Sequence, residues 1–426
     1  MVTGCGAVTP LGLTAAESWE GLKAGRSGIR RISVFDPEGF PTQIAGEIPG
    51  FDFAAAIREN PDLKDARRST FFALRAAEEA FKSCGLKSGS FDPERFGIYF
   101  GAADSGVDFK AFVQTIGRSL DAETGKIDGG RYLEAAGHIM TGMGELESQP
   151  YMTLSHLVKR FKIEGPATNG ITACAASSQA IGEAFEWIRR GDTDMMMTGG
   201  SHSMVYPLGI AGFSLLTALS TRNEEPARAS RPFDKNRDGF VLSEGACVLM
   251  LEELEHARRR GAQIYGEITG YGATADAYRM TDMDPEGRGA CRAMELAMKK
   301  AGLRPDDVDY INAHGTATQV NDAIETMVIK KVMGDRAASV PVSSIKSMVG
   351  HMIAAAGAFE AMTCLYAIRN SVIPPTINYE EPDPRCDLDY VPNTARSAKV
   401  RHALSNSFGF GGQNICLAVG AYDNES

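Results

Sequence analysis

Residues 168–191 read TNGITACAASSQAIGEAFEWIRRG, a stretch that joins a short extended segment to a long helical pattern. Cys174 stands at the junction, where a sharp turn is expected to present its side chain at the N-terminus of the helix. Free backbone N–H groups and the positive end of the helix dipole favour a thiolate there. The small residues on either side leave room for a substrate to approach. The residues alone allow two interpretations of Cys174, a nucleophile or a buried structural cysteine.

Short apolar runs alternate with long helical patterns along the rest of the chain. The runs predict buried strands at Phe96–Gly101, Met195–Gly200, Val248–Glu252 and Ile415–Gly420. The periodic segments predict helices at Ser69–Cys84, Ala175–Arg190, Gly287–Ala301 and Ala354–Arg369. Strands that alternate with helices of this length indicate an α/β fold with largely parallel sheets.

The chain carries a weak internal repeat. Phe91–Ile98 and Pro305–Asn312 each follow a Gly-Leu helix end and lead through an acidic turn into a strand. The chain has 426 residues, more than the roughly 250–300 that one hydrophobic core usually supports. We therefore expect two related halves that meet near Gly261. Residues 1–262 carry the cysteine and an inserted loop region, and residues 263–426 carry two candidate catalytic histidines.

The composition excludes several classes of function. Asp and Glu number 54 against 44 Lys and Arg, a formal net charge of −10, and an acidic chain without a long basic run is a poor candidate for nucleic-acid binding. The apolar runs are too short or too interrupted for a membrane span, and the first six residues lack the pattern of a signal peptide. The eight cysteines include no Cys-x-x-Cys pair, so a reduced, cytoplasmic location is expected.

Two histidines stand beside glycine at predicted strand–helix junctions, where the active sites of α/β folds gather. His314 lies in YINAHGTAT, residues 310–318, and His351 lies in SSIKSMVGHMIAAAG, residues 343–357. Each histidine alone fits a structural role as well as a catalytic one. Taken with Cys174 and Lys346, they form a coherent candidate site.

Asp322 and Glu325 lie three residues apart on the helix predicted after His314, so they share one face of it. We expect them to pair with Lys346 and to hold it as a cation near the site. The alternative is a surface carboxylate pair, which the spacing alone does not exclude.

The last candidate motif is LSNSFGFGGQN, residues 404–414. Phe408 and Phe410 alternate with glycines, which let backbone N–H groups approach a ligand and permit motion. The motif fits either an active-site gate or a glycine-rich turn with two core aromatic residues.

In their order and spacing these motifs resemble those of the beta-ketoacyl-acyl-carrier-protein synthases, the elongating type II condensing enzymes of the thiolase superfamily. The resemblance covers essentially the whole chain. It also includes Val2-Thr3-Gly4, SRPFDKNRDGFVLSEGA at residues 230–246 and PPTINYEEPDPRCDLDYVPN at residues 374–393. It implies a thiolase-like five-layered αβαβα fold of two related halves. It also implies a homodimer, or a heterodimer with a related subunit, that works on an acyl carrier protein without any cofactor.

The resemblance implies a role for each residue of the candidate site. Cys174 would carry the acyl group, and His314 and His351 would assist decarboxylation of the malonyl carrier protein. The backbone N–H groups of Cys174 and Phe410 would form the oxyanion hole. The reaction would be a decarboxylative Claisen condensation that yields a 3-oxoacyl carrier protein and CO2.

Further roles follow from the same resemblance. Lys346 would sit with Asp322 and Glu325. The acyl chain and the carrier arm would contact Thr316, Thr318, Phe213, Phe408 and Phe410. A monovalent cation, seen in relatives, would lie at Asn312, Glu360, Ser405 and Asn406. Arg67 and Arg68, near the start of a helix, are expected to help dock the acidic carrier protein.

The chain departs from the family pattern in residues 107–150 and at two positions after the first histidine motif. There Gln319 and Asn321 replace the commoner Pro and Gly. These departures leave open the acyl chain length and the choice between fatty-acid synthesis and a polyketide or polyene pathway.

The residues argue against three related classes, of which the inactive partner subunit is kept as the alternative to the elongating synthase. A thiolase needs a second catalytic cysteine in the C-terminal half, where this chain has Phe410 in the glycine-rich loop. A chain-initiating synthase would have Asn in the role of His351. A catalytically inactive partner subunit, such as a chain-length factor, would lack the nucleophilic cysteine.

Overall fold

The computed structural model describes residues 1–87, 89, 91–102 and 108–423. The described strands are β1 Val2–Val8, β2 Arg30–Arg31, β3 Ile44–Ala45, β4 Phe96–Ala102, β5 Ala167–Gly170, β6 Met195–His202, β7 Gly245–Glu252, β8 Glu267–Ala275, β9 Tyr310–Asn312, β10 Val342–Ser343, β11 Val372–Ile373, β12 Arg396–Ser397, β13 His402–Gly409 and β14 Gln413–Gly420.

The helices lie between these strands and begin and end close to the predicted limits. They are α1 Ala15–Lys23, α2 Phe53–Glu59, α3 Arg68–Ser83, α4 Phe109–Ser119, α5 Gly129–Ile139, α6 Gly142–Leu146, α7 Tyr151–Phe161, α8 Ala176–Arg189, α9 Pro207–Leu215, α10 Leu254–Arg259, α11 Arg288–Ala301, α12 Gln319–Met333, α13 Lys346–Val349 and α14 Ala356–Asn370. All four predicted strands and all four predicted helices are present, with ends that differ by at most three residues.

Two five-stranded sheets carry the same topology. The first has the order β1-β7-β6-β4-β5, and the second has the order β8-β14-β13-β9-β10. When the five strands of each sheet are numbered in chain order, they lie side by side in the order first, fifth, fourth, second, third in both sheets. The two segments that suggested a repeat occupy matching places, because a short 3₁₀ turn precedes β4 at Pro93–Arg95 and β9 at Pro305–Asp307. The expectation of two related halves is confirmed.

The sheets are mixed, so the expectation of largely parallel sheets is wrong. In each sheet two neighbouring strand pairs are parallel and two are antiparallel. The physical reason is plainest in the second half, where only residues 410–412 separate β13 from β14. A connection this short makes a hairpin, whereas a parallel pair needs a crossover of a dozen residues or more.

Helices cover both sheets and fill the space between them. α3 packs on the outer side of β1 and β7, and α11 packs on the outer side of β8 and β14. α8 and α14 pack against each other and against both sheets. The result is the five-layered αβαβα arrangement that the resemblance implied. Within the described part of the chain, no helix is long and apolar enough to cross a membrane.

The small residues after Cys174 serve the packing of the two central helices. Ala175, Ala176, Ser177 and Ser178 are fully buried, with no exposed surface. Ser177 Oγ accepts the backbone N–H of Ala358 on α14 at 2.9 Å. The expectation that these four residues leave space for a substrate is therefore wrong, since they let α8 approach α14.

Arg67 and Arg68 make internal contacts. Arg68 donates through Nε, at 3.0 Å, and Nη2 to the fully buried carboxylate of Glu244. Arg67 donates to the carbonyl oxygen of Gly144 at 2.7 Å and to the hydroxyl of Ser148. The contacts of both guanidinium groups argue against the expected carrier-docking role and indicate that they fasten α3 to neighbouring segments.

The Arg68–Glu244 pair gives a prediction about stability. Glu244→Gln removes the charge that neutralises Arg68 and weakens the acceptor of the Ile48 N–H and the Ser203 hydroxyl. Because breaking a buried pair on one side is costly, we expect the free energy of unfolding to fall by about 3 kcal/mol in chemical denaturation. The matched control is Glu38→Gln, since the Arg31–Glu38 pair lies at the surface, and it should change stability little. Equal effects of the two substitutions would contradict a structural role for the pair.

Candidate active site

Cys174 lies in a strained turn at the N-terminus of α8. Ala173 has φ +48°, a left-handed conformation that is unfavourable for alanine. It begins a 3₁₀ turn, Ala173–Ala175, that leads directly into the helix. The second half repeats this turn at Ile353–Ala355 before α14, with φ +42° at Ile353. The sharp turn expected around Cys174 is therefore present, and the internal repeat places Ala354 at the equivalent position.

The environment of the thiol differs from the expectation. Burial raises the pKa of Cys174 to about 11, and the cation of Lys346 and the backbone N–H of Phe410 oppose this rise. The resting side chain is therefore a neutral thiol near pH 7, and not the thiolate predicted from its position at a helix N-terminus. The desolvation of a nearly buried sulfur outweighs the groups that favour its charged form.

The end of β13 lies directly on the turn that holds Cys174. A Cβ atom on Gly409 would stand 3.0 Å from the carbonyl oxygen of Thr172 and 3.3 Å from the backbone nitrogen of Cys174. A side chain at this position would crowd the turn, and the close approach brings the Phe410 N–H to the cysteine sulfur. Phe408 packs beside His314, with ring centroids 5.8 Å apart. The motif thus forms a wall of the site.

His314 and His351 line one cavity of about 350 Å³ together with Cys174. Their ring centroids lie 5.4 Å apart with the rings nearly perpendicular, at 83°. Burial, reinforced by the nearby Lys346 cation, lowers the pKa of both imidazoles well below 6.5. Both rings are therefore neutral at physiological pH.

Contacts at Nδ1 determine the tautomer of each ring. His351 Nδ1 accepts the backbone N–H of Ile353 at 3.3 Å, and Lys346 Nζ lies 3.4 Å from His314 Nδ1. Since an ammonium group can only donate, both Nδ1 atoms are acceptors and the ring proton sits on Nε2. Among the described residues His351 Nε2 has no partner. The pair therefore offers two neutral N–H donors.

The buried partner of Lys346 is Glu360, and the expected pairing with Asp322 and Glu325 is wrong. Lys346 and Glu360 form a direct ion pair with almost no exposure of either side chain. Burial raises the pKa of Glu360 and the Lys346 cation opposes it. The partner stands 14 residues further along the chain, so helix-face spacing did not reveal it.

Asp322 and Glu325 are fully buried and hold backbone. Asp322 accepts the N–H of Phe233 at 2.7 Å. Glu325 accepts the N–H groups of His314 at 2.8 Å and Gly315 at 2.7 Å. The surface-pair alternative is therefore wrong as well. Glu325 supports the turn that carries His314, and Asp322 holds the segment of Phe233 against α12.

Three side-chain oxygens near this turn have no donor. Asn312 Oδ1, Ser405 Oγ and Asn406 Oδ1 are buried without a hydrogen-bond partner among the described residues. Ser405 lies opposite Asn312 in the pairing of β13 with β9. Buried oxygens without donors suit a hard cation, so these residues fit the cation site implied by the resemblance. The fourth residue, Glu360, is already paired with Lys346.

The remaining candidate residues surround the same cavity. Phe213, Thr316, Thr318, Phe408 and Phe410 all line it, and the hydroxyl oxygens of Thr316 and Thr318 lie 3.0 Å apart.

Sequence reasoning assigned no role to two side chains that shape this region. Arg237 is fully buried, pairs with Asp383 at 2.7 Å and donates to the carbonyl oxygen of Thr318 at 3.0 Å. Phe240 packs edge-on against His351 at 5.2 Å. Both belong to the segment SRPFDKNRDGFVLSEGA. Its charged residues lie among apolar ones, and this pattern is the sequence feature that could have indicated their role.

Comparison with known proteins agrees with this architecture. The family described as beta-ketoacyl synthase, N-terminal domain, matches residues 1–257, and the corresponding C-terminal domain matches residues 265–380. A 3-oxoacyl-[acyl-carrier-protein] synthase 2 of Coxiella burnetii is 43% identical, over 98% of this chain and 97% of its own.

Two solved structures share the fold. One is a type II polyketide ketosynthase in complex with its acyl-carrier protein, with a TM-score of 0.88 and 35% identity over 99% of this chain and 98% of that chain. The other, the ishigamide ketosynthase/chain length factor, has the same TM-score, identity and coverage.

The two sheets, the cysteine turn and the facing histidines define a thiolase-like condensing enzyme. The chain belongs to the beta-ketoacyl synthase family. It is an acyltransferase of fatty-acid or polyketide elongation.

The contact of Gly409 with the cysteine turn gives a second prediction. In Gly409→Ala the added methyl group pushes β13 away from Cys174 and displaces the Phe410 N–H. The resemblance implies that this N–H is an oxyanion donor, and loss of one such donor costs about 10²–10³-fold in rate. We therefore expect condensation to slow, by up to that factor, in a steady-state assay. Gly212→Ala is the control, since a Cβ atom there meets nothing within 4 Å. A Gly409→Ala enzyme with the wild-type rate would show that this contact is not needed.

The Glu325 carboxylate gives a prediction about pH. Burial raises its pKa to about 7, opposed by the N–H groups of Gly315 and His314. As pH falls through about 7, protonation weakens the support of the His314 turn, so we expect the condensation rate to fall several-fold. The two histidines stay neutral over this range. Stability changes in the opposite sense, because a raised folded-state pKa stabilises the protein at low pH and this contribution is lost as pH rises through 7.

The check is the pH–rate profile of Glu325→Gln. Its side chain is neutral at every pH, so the profile should be flat and should stay at the acid level of the wild type. If the rate of Glu325→Gln still falls at low pH, a group other than Glu325 is responsible, and the two histidines are the first candidates.

Proposed function

We propose that this chain elongates acyl groups carried on an acyl carrier protein, using a malonyl carrier protein as the two-carbon donor. The observation that supports this most directly is the cavity shared by Cys174, His314 and His351. A nucleophile and two neutral N–H donors are the groups that a decarboxylative condensation requires, and no redox step is involved.

Acylation of Cys174 is the first step. The sulfur attacks the thioester carbonyl of the acyl carrier protein, and the thiol proton leaves with the released carrier thiol. The Lys346 cation and the Phe410 N–H favour the developing thiolate. The acyl chain then occupies the apolar side of the cavity at Phe213, while Phe408 and Phe410 separate the site from solvent.

Decarboxylation follows when the malonyl carrier protein enters. The Nε2–H groups of His314 and His351 donate to the thioester oxygen, which becomes an enolate oxygen as CO2 leaves. The enolate carbon attacks the acyl group on Cys174. The N–H groups of Cys174 and Phe410 stabilise the tetrahedral oxyanion, which collapses to the 3-oxoacyl carrier protein and releases the cysteine.

The surrounding charges support these steps. Lys346, neutralised by Glu360, holds His314 in the tautomer that donates from Nε2. Asp322 and Glu325 are proposed as supporting carboxylates of the histidine turn. Thr316 and Thr318 are proposed to contact the carrier arm. A monovalent cation is proposed at Asn312, Ser405 and Asn406, with Glu360 beside it. The three oxygens are neutral and the Glu360 carboxylate is already paired with Lys346, so the site suits a cation with a single charge.

We also propose a dimer, and the division of the chain into residues 1–262 and 263–426. The edge of the first sheet at β5 has no neighbouring strand among the described residues, and an open edge favours pairing with a second chain. Six exposed apolar side chains lie on the segment before it, namely Val113, Leu120, Ile127, Leu133, Met143 and Leu146. This segment belongs to the region 107–150 that departs from the family pattern, of which Val107 lies outside the described residues. A second copy of this chain is the proposed occupant, with a related subunit as the alternative.

The first experiment is the intact mass of the protein after incubation with acyl carrier proteins of different chain length, followed by malonyl carrier protein. We expect acylation at Cys174 and then a carrier product that is two carbons longer. Cys174→Ala should take up no acyl group. Cys174→Gln should decarboxylate malonyl carrier protein without condensation, because its amide oxygen mimics the acyl carbonyl in the oxyanion hole.

Two outcomes would contradict the proposal. A Cys174→Gln variant that still elongates would place the acyl group elsewhere. A wild-type chain that accepts no acyl group from any thioester would be the inactive partner subunit of another ketosynthase.

A further inference from the structure

Asn321 is a polar residue of the cavity that the reaction steps above do not use. It lies in the first turn of α12, only 8% exposed, and it lines the cavity shared by Cys174 and His314. The position is one of the two at which this chain departs from the family pattern. The other, Gln319, is engaged at both ends of its amide, donating to the carbonyl oxygen of Arg237 and accepting from Arg385.

Two carboxylates determine how the Asn321 amide is turned. Its Nδ2 donates to Asp322 Oδ1 at 3.1 Å and lies 3.5 Å from Glu325 Oε2. The reversed amide would set Oδ1 against two carboxylate oxygens, so the nitrogen must face them. The carbonyl oxygen Oδ1 then points away from both, and no hydrogen bond to it forms within the described part of the chain. Because Asn321 lines the cavity, this acceptor is available to a ligand or a water molecule there.

Two threonine hydroxyls lie in the wall of the same cavity. The hydroxyls of Thr316 and Thr318 are 3.0 Å apart, and Thr318 Oγ1 also accepts the backbone N–H of Asn321 at 3.3 Å. One of the two hydroxyl hydrogens joins the threonines, and the other remains available. The cavity wall therefore presents an O–H donor at the threonines and a C=O acceptor at Asn321, and an amide N–H is a suitable donor for that acceptor.

We propose that Asn321 Oδ1 accepts an amide N–H of the carrier arm. Asn321 is then a substrate-binding residue. The proposal rests on the proposed function, because that function brings an amide-containing arm through this cavity.

The test compares two malonyl thioesters of the pantetheine arm. In one the amide is intact, and in the other an ester oxygen replaces the amide N–H, which removes the donor without adding bulk. With the wild-type enzyme we expect the ester to raise the KM for decarboxylation by about three- to tenfold, the loss of one hydrogen bond. Each of the arm's amides is replaced in turn. With Asn321→Ala the intact amide and the ester should have equal KM values.

Val320→Ala is the matched control, a neighbouring cavity residue that is 47% exposed. It should keep the preference for the amide. A merely structural role of Asn321 would lower the activity toward both substrates equally and leave their ratio unchanged, which overturns the proposal. The wild-type comparison stands even if Asn321→Ala does not fold, because a wild-type enzyme indifferent to every ester replacement also overturns it.

Failure of this proposal is distinguishable from failure of the proposed function. Acylation of wild-type Cys174 by acyl carrier protein is measured in parallel by intact mass. Acylation together with indifference to the ester overturns the role of Asn321 alone. Absence of acylation, with no decarboxylation of either thioester, overturns both.

Discussion

The close approach of α8 and α14 is the constraint on which the rest of the molecule depends. A Cβ atom on Gly357 would stand 1.9 Å from Ser178 Oγ, and one on Gly200 would stand 2.5 Å from the carbonyl oxygen of Ala354. Small residues at these positions allow the turns Ala173–Ala175 and Ile353–Ala355 to meet between the sheets. Because they meet, the cysteine of the first half faces the histidines of the second half, and neither half contains the site alone.

Burial determines the protonation states of Cys174, His314 and His351, and the Lys346 cation shifts the pKa of all three. Desolvation keeps both histidines neutral and also keeps the Cys174 thiol protonated. Lys346 lowers the pKa of each of these groups, so the same charge favours neutral imidazoles and a reactive sulfur. A cation enclosed in this way is costly without a counter-charge, which explains why Glu360 lies directly against it.

Buried carboxylates and amides hold the backbone around the reacting groups. Glu325 accepts the N–H groups of His314 and Gly315. Arg237 donates to the carbonyl oxygen of Thr318. The side-chain amide of Asn321 lies beside Asp322 and Glu325, the two carboxylates of α12. Asn312, Ser405 and Asn406 each keep a buried oxygen without a donor among the described residues, and these are the oxygens at which we propose a cation.

Four strands, four helices, the internal repeat, the turn at Cys174 and the pair of histidines could be predicted from the sequence, because periodicity, turn chemistry and motif order are local properties of the chain. Only the tertiary structure decided that the sheets are mixed, that Glu360 and not Asp322 or Glu325 neutralises Lys346, and that the thiol is protonated. It also decided that Arg67 and Arg68 make internal contacts and that the small residues after Cys174 serve helix packing. Each of these results depends on burial or on a contact between segments that are far apart in the sequence. Such contacts produce no periodic pattern along the chain, so the sequence alone does not predict them.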